Sequence, residues 1–340
     1  MGPTTKRKIG KTKLDVTVFG FGAAPLGGFR ATITEAQASA TVEAAVKAGV
    51  NFFDTSPFYG YGRSELRMGA ALRGLPRDSF VLSTKIGRVM RPLKDGESVA
   101  GLRPNGLPFV PRFDYSYDGV MRSLEHSLLR LGLARVDILF IHDVDYWSLR
   151  DNALLEQHFK QAMDGGYRAL DELRRAGVIS AIGAGLNETE MCTRFARAGD
   201  FDCMLLAGRY TLLEQGALAE FMPLAEKKNI SVVIGGPYNS GILTGNVQPG
   251  AKYDYADAPD DILSRARRLE QVCKRHDVPL AAAAIQFPLA HRAVAAVIPG
   301  AFNPAEVAAN AVHLARKIPA ALWAELRHEK LIDPSAPVPS

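Results

Sequence analysis

The chain has little of what marks several large classes of protein. Its 340 residues include only three cysteines, Cys192, Cys203 and Cys273, and no Cys-x-x-Cys pair. This excludes a disulfide scaffold and is typical of buried free thiols in a reducing cytosol, so we expect a cytoplasmic protein. No run of 18 apolar residues is present, and the segment MGPTTKRKIG precedes no apolar stretch. We therefore expect neither a membrane span nor a signal peptide.

A concentration of charge of one sign is also lacking. The 41 basic residues are scattered among 36 acidic ones, and the net charge is only +5. The small basic cluster Arg265, Arg267 and Arg268 is typical of a solvated helix face. Nucleic acid is therefore not an expected partner. With 47% apolar residues the chain can bury a large core, so we expect a globular protein that acts on a small molecule, and we leave oligomer formation open.

What the chain does contain is a regular alternation of apolar runs with helical patterns. The runs that predict strands are 16–22, 51–54, 81–85, 136–142, 180–184, 201–206, 230–234 and 295–299. Helical patterns follow them, with one helix more than the repeat requires at 260–276 and 280–290. This predicts a closed parallel (β/α)8 barrel that forms a single domain over residues 1–332, with a disordered tail at 333–340.

Two segments interrupt the pattern after predicted strands. Residues 88–112 are rich in proline, glycine and charge, and residues 143–160 read as a second long loop. Long loops in compact domains are usually lids or binding loops. Because both follow the ends of strands, we expect them at the mouth of the barrel, where such barrels carry their active sites.

Polar residues stand at the ends of three successive predicted strands. Asp54 and Tyr59 follow the second strand, Lys85 ends the third and His142 ends the fourth. Strand ends of a parallel barrel share one mouth, so these four side chains are predicted to meet. Taken singly, each has an ordinary structural explanation, such as a turn cap, a loop anchor, a surface lysine or a core histidine. Their combination on consecutive strand ends favours catalysis.

These residue types have complementary chemistry. A tyrosine with an ordinary pKa of about 10 becomes a base near neutrality only when a nearby cation favours its phenolate. Lys85 can be that cation, and a carboxylate such as Asp54 would keep a buried lysine charged. His142 can orient the reacting oxygen or share its proton. The four residues can thus move a proton, and a redox reaction would need a separate hydride carrier.

The segments DTSPFYG, STKIG and FIHD, in that order, resemble the Asp-Tyr-Lys-His tetrad of the aldo-keto reductases. The resemblance extends over nearly the whole chain. The segments FGFGAAPLGG, LLAGRYTLLEQ and GGPYNSGILTG further resemble its bacterial branch of sugar dehydrogenases. That branch includes L-fucose or D-threo-aldose 1-dehydrogenase, L-galactose dehydrogenase and pyridoxal 4-dehydrogenase. The resemblance implies NAD-dependent oxidation of the C1 hemiacetal of an aldose, such as L-fucose, L-galactose or D-arabinose, to a lactone.

The resemblance also implies that a dinucleotide lies across the barrel mouth. The residues it assigns to the cofactor are Asn187, Gly235, Ser240, Gly241, Leu243, Gly300, Glu306 and Asn310. Many NADP-dependent members have Lys and Arg at the positions of Gly300 and Glu306. A carboxylate there would repel a 2′-phosphate and accept from a free ribose hydroxyl, so NAD is expected rather than NADP. The GFGAAP segment does not continue as a Rossmann fingerprint.

The substrate pocket is less well defined by the sequence. Candidate lining residues are Leu26, Phe58, Phe109, Asp143, Trp147 and Arg209. The aromatic members leave pyridoxal oxidation open, as well as general aldehyde or ketone reduction. A nucleotide-sensing, non-enzymatic subunit is the alternative of another class. We expect no metal at His142, Asp143 and Asp145, because neighbouring residues on an extended strand point to opposite faces.

Overall fold

The computed structural model of the chain describes residues 2–28, 31–97, 105–245 and 247–339. Its strands are β1 (Lys6–Lys8), β2 (Asp15–Thr17), β3 (Phe21–Gly22), β4 (Phe52–Asp54), β5 (Val81–Ile86), β6 (Arg88–Pro92), β7 (Phe109–Phe113), β8 (Ile138–His142), β9 (Ala181–Leu186), β10 (Cys203–Ala207), β11 (Ser231–Gly235), β12 (Lys252–Tyr253), β13 (Ala256–Asp257) and β14 (Val294–Ile298). Its helices are α1 (Glu35–Lys47), α2 (Arg63–Leu72), α3 (Tyr117–Leu131), α4 (Tyr146–Leu149), α5 (Asn152–Gln161), α6 (Tyr167–Arg175), α7 (Thr189–Ala198), α8 (Phe221–Lys228), α9 (Asp260–Arg275), α10 (Leu280–Gln286), α11 (Pro304–Ala315) and α12 (Ala320–His328).

Eight parallel strands form the barrel that the sequence predicts. Their order in the sheet is β14-β11-β10-β9-β8-β5-β4-β3. The two outermost strands are joined by parallel bridges, Phe19 to Val297 and Gly22 to Gly300, which bring the sheet round on itself. The helices lie outside this ring, so all the strand ends that precede helices open at one mouth. The predicted fold class is confirmed.

Two apolar layers hold the barrel together. Alternate strand residues point inward and pack as an interior cluster that includes Phe52, Phe140 and Ile298. The opposite faces of the strands pack against the apolar stripes of the surrounding helices in a larger cluster. Helix α3 illustrates the local signals: the Ser116 side chain accepts from Gly119 N at its start, and Gly132 ends it at φ 62°. Such caps satisfy helix-end backbone groups and fix where each helix begins and ends.

The end of the barrel opposite the mouth is covered by a small antiparallel hairpin. β1 pairs with β2, and Ile9 and Val16 from this hairpin pack into the interior cluster. The predicted first strand, 16–22, is therefore divided. Its beginning belongs to the hairpin, and only β3, with the bridge at Phe19, belongs to the barrel. The reason is that a continuous apolar run does not reveal which partner strand it meets.

The segment 88–112 is more regular than the sequence suggests. β6 and β7 form an antiparallel hairpin in which Arg88 pairs with Phe113 and Pro92 with Phe109. Residues 98–104, between the two strands, lie outside the described ranges. Gly87 precedes the hairpin at φ 100°, and a Cβ there would lie 2.0 Å from the Tyr115 ring. This left-handed turn sends the chain out of the barrel directly after Lys85.

The second predicted loop, 143–160, contains two helices. Asp145 caps α4 by accepting from Ser148 N, and Asp151 caps α5 by accepting from Leu154 N. Each aspartate supplies the side-chain oxygen that a helix start prefers. The expectation of a long loop is therefore wrong for most of this segment, because two short helices separated by a break give no long periodic pattern.

The end of the chain packs against the body of the protein. Ala336 is fully buried, its carbonyl accepts from Arg327 Nη2 at 2.7 Å, and Asp333 N donates to Gln215 Oε1. This packing over 333–339 differs from the disordered tail predicted from its proline-rich composition. Composition alone does not show that a short apolar segment finds a groove to fill.

The three cysteines are buried and free. Burial raises the pKa of each thiol, because a thiolate is disfavoured in apolar surroundings. They therefore behave as small apolar side chains, and the cytoplasmic location stays a prediction. Within the described ranges, no helix combines the length and the apolar character that a membrane crossing needs.

Candidate active site

The structure brings the four predicted catalytic residues together at the barrel mouth. Asp54 ends β4, Lys85 lies near the end of β5 and His142 ends β8. These three strands are consecutive neighbours in the sheet, so their ends lie side by side. Tyr59 returns to the same place through the turn that follows Asp54. The site therefore depends on strand order as well as on the residues themselves.

Asp54 and Lys85 form a buried ion pair. Lys85 Nζ lies 2.6 Å from Asp54 Oδ2 and donates to the Thr55 carbonyl at 2.8 Å, and the two side chains are only 1% and 3% exposed. The Ser83 hydroxyl donates to Asp54 Oδ1. Burial raises the pKa of Asp54, and the ammonium of Lys85 opposes this by favouring the carboxylate. Buried charges of this kind persist only when they are paired, so each residue depends on the other.

Tyr59 sits over this pair. Its ring centroid is 4.8 Å from Lys85 Nζ, and the ring meets His142 edge-on, with centroids 5.9 Å apart. The turn is tight because Gly60, at φ 64°, lies against Gly27. A Cβ added to Gly60 would lie 2.2 Å from the Gly27 carbonyl oxygen. Only glycine allows this approach. The phenol is thus held next to a cation that favours its ionised form.

His142 is held through both ring nitrogens and its backbone. Its Nδ1 is 3.1 Å from Ser56 Oγ, and its carbonyl accepts from the Tyr115 hydroxyl at 2.6 Å. Its Nε2 is 3.4 Å from Asp143 Oδ1. These contacts fix the orientation of the imidazole beside Tyr59, which a residue acting on the same oxygen requires.

Asp143 shares the mouth with His142, contrary to the rule that neighbouring strand residues face opposite ways. Its φ is 55°, so the chain leaves the extended conformation directly after β8. Its carboxylate pairs with Arg88 Nη2 at 2.7 Å. Burial raises the pKa of Asp143 and Arg88 lowers it. Within the described chain, no three His, Cys, Asp or Glu side chains group closely enough to hold a metal.

A cleft of about 560 Å³ runs across the mouth from the tetrad. This volume is within the ordinary range for a ligand pocket. It is lined by Gly22, Ala24, Pro25, Asp54, Tyr59, Leu205, Ala207, Gly235, Gly236, Pro237, Tyr238, Ser240, Gly241, Thr244, Tyr255, Ala281, Ile298, Pro299, Gly300, Phe302, Glu306, Ala309, Asn310 and His313. These residues come from the ends of β3, β4, β10, β11 and β14, from the loops that follow them and from α10 and α11, so the cleft joins the tetrad to one side of the barrel.

Most of the residues assigned to the cofactor lie on this cleft. Gly235, Ser240, Gly241, Gly300, Glu306 and Asn310 all line it, whereas Leu243 is fully buried beneath it. Ser240 and Gly241 have φ of 64° and 102°, so the chain makes a left-handed turn where it lines the cleft. Gly235 and Ala207 also line the cleft, and at these two positions the cleft wall carries neither an aromatic ring nor a side-chain amide.

The far end of the cleft carries two polar side chains. Glu306 accepts from Phe302 N and from Asn303 Nδ2, which fixes its carboxylate at the start of α11. Asn310 Oδ1 accepts from the Tyr238 hydroxyl, joining α11 to the loop after β11. No lysine or arginine lines the cleft in the part of the chain that is described.

Asn187 lies in a small cavity of about 30 Å³ beside the main cleft. Its Nδ2 donates to Asp143 Oδ1, Asp145 Oδ2 and Ser148 Oγ at 3.0 to 3.3 Å. These acceptors fix the orientation of the amide, because a flipped side chain would place its carbonyl oxygen, which cannot donate, against three other oxygens. A ligand would therefore meet the Asn187 carbonyl oxygen.

Trp147 and Arg209, predicted substrate residues, line the same small cavity. Arg209 makes a bidentate ion pair with Asp254 at 2.6 and 2.9 Å, and the Trp147 ring packs against Tyr255 with centroids 5.8 Å apart. Asp254 and Tyr255 form the tip of the β12-β13 hairpin. Three loops are thus joined over the cleft, and Arg209 is occupied within the protein.

Three other predicted substrate residues lie elsewhere. Leu26 is fully buried, and Phe109 pairs with Pro92 in the β6-β7 hairpin, two residues after Leu107, whose N donates to the Gly60 carbonyl at 2.9 Å. Phe58 lies near the tetrad, but its ring face is covered by the guanidinium of Arg88 at 3.7 Å. None of the three lines the cleft as described. Sequence position after a strand did not show which way these side chains turn.

Sequence reasoning missed several residues of the site. Ser56 contacts His142, Arg88 contacts its neighbour Asp143, and Tyr238, Phe302 and Tyr255 line the cleft. Arg88 had a usable signal, since it follows Lys85 by three residues across a glycine. The cleft aromatics had none, because their loops carry no periodic pattern.

Comparison with known proteins places these features in a family. Residues 18–329 match the model of the Aldo/keto reductase family. The chain is 44% identical over 337 residues to pyridoxal 4-dehydrogenase of Microbacterium luteolum, covering 96% of this chain and 98% of that one. It is 38% identical over 330 residues to D-threo-aldose 1-dehydrogenase of a Pseudomonas species, covering 94% and 95%.

The fold has a close counterpart among solved structures. A holo-form aldo-keto reductase from Bacillus halodurans superposes with a TM-score of 0.76 over 98% of both chains, at 24% identity. Aldo-keto reductases use nicotinamide cofactors. The chain belongs to the aldo/keto reductase family and is an NAD(P)-dependent oxidoreductase acting on CH–OH groups.

Proposed function

We propose that the protein oxidises the C1 hemiacetal of an aldose to the lactone with NAD. The observation that carries this is the position of Tyr59, at the inner end of the cleft and 4.8 Å from the buried ammonium of Lys85. NAD, when bound, supplies the hydride acceptor. The sugar dehydrogenase among the relatives, at 38% identity, supports an aldose as the substrate.

Each tetrad residue has one task in this reaction. Tyr59, as a phenolate stabilised by Lys85, removes the proton of the C1 hydroxyl. Asp54 keeps Lys85 charged in its buried position. His142 holds the reacting oxygen by a hydrogen bond while negative charge grows on it. In the reverse direction Tyr59 returns the proton, so the same residues serve carbonyl reduction.

The cleft also favours NAD as the cofactor. Asn187 would accept from the carboxamide, the backbone at Ser240 and Gly241 would face the pyrophosphate, and Asn310 would meet the adenine. A 2′-phosphate near Glu306 would find a carboxylate, and no lysine or arginine from the described cleft lining would neutralise it. Two like unit charges about 4 Å apart at a protein surface repel by about 1 kcal/mol or more.

Removing the charge of Glu306 is expected to reduce the ratio of NAD affinity to NADP affinity. We expect Glu306→Gln to tighten NADP binding about tenfold, corresponding to the loss of one like-charge contact, and to change NAD binding less. Titration of both cofactors by fluorescence measures this. Glu226→Gln, an acid remote from the cleft, is the control, because it should change neither value. Equal effects on the binding of both cofactors would contradict the placement of Glu306 beside the 2′-oxygen of the ribose.

A second candidate is oxidation of pyridoxal, itself a cyclic hemiacetal with an aromatic ring. The pair of Trp147 and Tyr255 rings beside the cleft would suit a flat aromatic substrate. The relative at 44% identity is named for this activity. A nucleotide sensor without turnover is less favoured, because a sensor has no need of the buried Asp54–Lys85 pair beneath a tyrosine.

One assay separates these functions. Purified protein is incubated with NAD or NADP and with L-fucose, L-galactose, D-arabinose or pyridoxal, and reduced cofactor is followed by absorbance. We expect NAD-linked turnover of at least one sugar, at a higher kcat/KM than pyridoxal. Activity on pyridoxal alone would replace the proposal with the second candidate. Binding of NAD without turnover of any of the four would contradict both.

A further inference from the structure

Arg88 is a buried arginine directly beside the tetrad, although it contacts none of the reacting groups assigned above. It is 8% exposed, and its guanidinium lies between two rings, 3.7 Å from the centroid of Phe58 and 4.7 Å from that of Phe113. The left-handed turn at Gly87 places it there, three residues after Lys85. Stacking fixes the plane of the guanidinium and leaves its edge to make hydrogen bonds.

That edge contacts Asp143. Arg88 Nη2 donates to Asp143 Oδ2 at 2.7 Å, and the two side chains are 9% and 14% exposed. The other oxygen, Oδ1, accepts from Asn187 Nδ2 at 3.1 Å and lies 3.4 Å from His142 Nε2. With φ 55°, Asp143 is in the left-handed region, which aspartate adopts more readily than most other residues. Arg88 and Asn187 together therefore hold this carboxylate against the histidine.

The contacts on the two sides of the imidazole are compatible with a proton on Nε2. Ser56 Oγ accepts from Phe58 N and lies 3.1 Å from His142 Nδ1, where its hydroxyl proton can donate to that nitrogen. With Nδ1 as the acceptor, the proton of a neutral imidazole is on Nε2, the nitrogen that faces the Asp143 carboxylate.

The separation of Nε2 from Asp143 Oδ1 matters for this arrangement. At 3.4 Å it is longer than a good N–H···O hydrogen bond, so the carboxylate attracts the proton without binding it tightly. An unpaired carboxylate here would draw a second proton onto the ring, and the charge of Arg88 offsets that attraction.

We propose that Arg88 is a positioning residue for the catalytic histidine: through Asp143 it keeps His142 neutral with its proton on Nε2. That His142 donates this proton to the reacting oxygen rests on the proposed function, whereas the position of the proton on the ring is independent of it. Among the described residues, the charged or titratable groups around the ring include Arg88, Asp143, Asp145, Tyr59 and the Asp54–Lys85 pair.

Nuclear magnetic resonance of the imidazole nitrogens tests this without any turnover. The chain has seven histidines, and the signals of His142 are identified by their loss in His142→Gln. We expect wild-type His142 to be neutral at pH 7 with the proton on Nε2. In Arg88→Met, the pKa of His142 should rise by about one unit or more, because Asp143 loses its counter-charge. Asp143→Asn should weaken the preference for Nε2.

Two further variants control for changes in structure. Arg88→Lys keeps the charge and should leave the pKa of His142 nearer to the wild-type value than Arg88→Met does. Arg91→Met removes another arginine of β6, whose partner Glu97 lies on the exposed part of the hairpin, and should leave His142 unchanged. A wild-type proton on Nδ1, or a His142 titration identical in wild type, Arg88→Met and Asp143→Asn, would overturn the proposal, even if those variants melt at lower temperature.

Kinetics give the second arm. With the substrate found in the assay above, Arg88→Met should lower kcat/KM by about 10- to 100-fold and shift its pH profile, with NAD binding within about twofold. Failure of all four substrates would count against the proposed function and leave the nitrogen spectra as the test of Arg88. Spectral changes with unaltered kcat/KM and pH profile would overturn the role of Arg88 in catalysis.

Discussion

Replacing Tyr59 with phenylalanine is expected to lower kcat for NAD-linked oxidation by about 10³-fold and to leave NAD binding within about twofold of wild type. The loss is large because the phenol is the group assigned to the proton transfer, and a positioned acid or base contributes about 10² to 10⁴ in rate. Cofactor binding is spared because the ring and its place over Lys85 are kept. Steady-state kinetics and a fluorescence titration of NAD measure the two quantities.

Tyr61 provides a matched control for this substitution. It lies two residues further along the same turn, is 1% exposed and does not line the cleft. We expect Tyr61→Phe to retain turnover within a few-fold of wild type. Turnover that survives in Tyr59→Phe, or falls equally in both variants, would remove Tyr59 from the proton transfer.

The second large effect is expected from Asp54→Asn, which leaves the ammonium of Lys85 buried without its carboxylate. Removing one partner of a buried ion pair typically costs about 3–5 kcal/mol in the free energy of unfolding. Turnover should also fall sharply, since a Lys85 that loses its proton no longer favours the Tyr59 phenolate. Denaturant unfolding gives the first quantity, and the sugar assay gives the second.

Two comparisons separate the electrostatic cause from a general loss of structure. The double variant Asp54→Asn, Lys85→Met removes both charges, so stability should recover in part while turnover does not. Glu156→Gln breaks an exposed pair with Arg194 and should cost about 1 kcal/mol or less. If Asp54→Asn were no less stable than Glu156→Gln, the pair would not carry the energetic weight assigned to it.

The part of the site that could be predicted follows from strand ends. Asp54, Lys85 and His142 each end an apolar run, and a parallel barrel has one place for such ends, so their meeting required no knowledge of loops. The cleft residues Gly300, Glu306 and Asn310 were assigned through resemblance to the family, and the structure places all three on the cleft.

The part that could not be predicted depends on backbone turns and on side chains brought together from distant segments. Asp143 meets His142 only because its φ is positive, which an alternating pattern cannot show. Arg209 was predicted to line the substrate pocket, and its pairing with Asp254, 45 residues later, gave no signal in the sequence. Phe109 was expected to line the substrate pocket, but it lies in the β6-β7 hairpin and is not among the described residues that line the cleft.

The burial of all three cysteines has a practical consequence. Cys192, Cys203 and Cys273 have no exposed thiol, and the raised pKa of each keeps it unreactive towards alkylating reagents at neutral pH. The native cysteines therefore do not need to be replaced before site-specific labelling of an introduced cysteine. A single cysteine introduced at exposed Asp95 of the β6-β7 hairpin would be the only reactive thiol, and a fluorophore there could report on this hairpin while the tetrad stays unaltered.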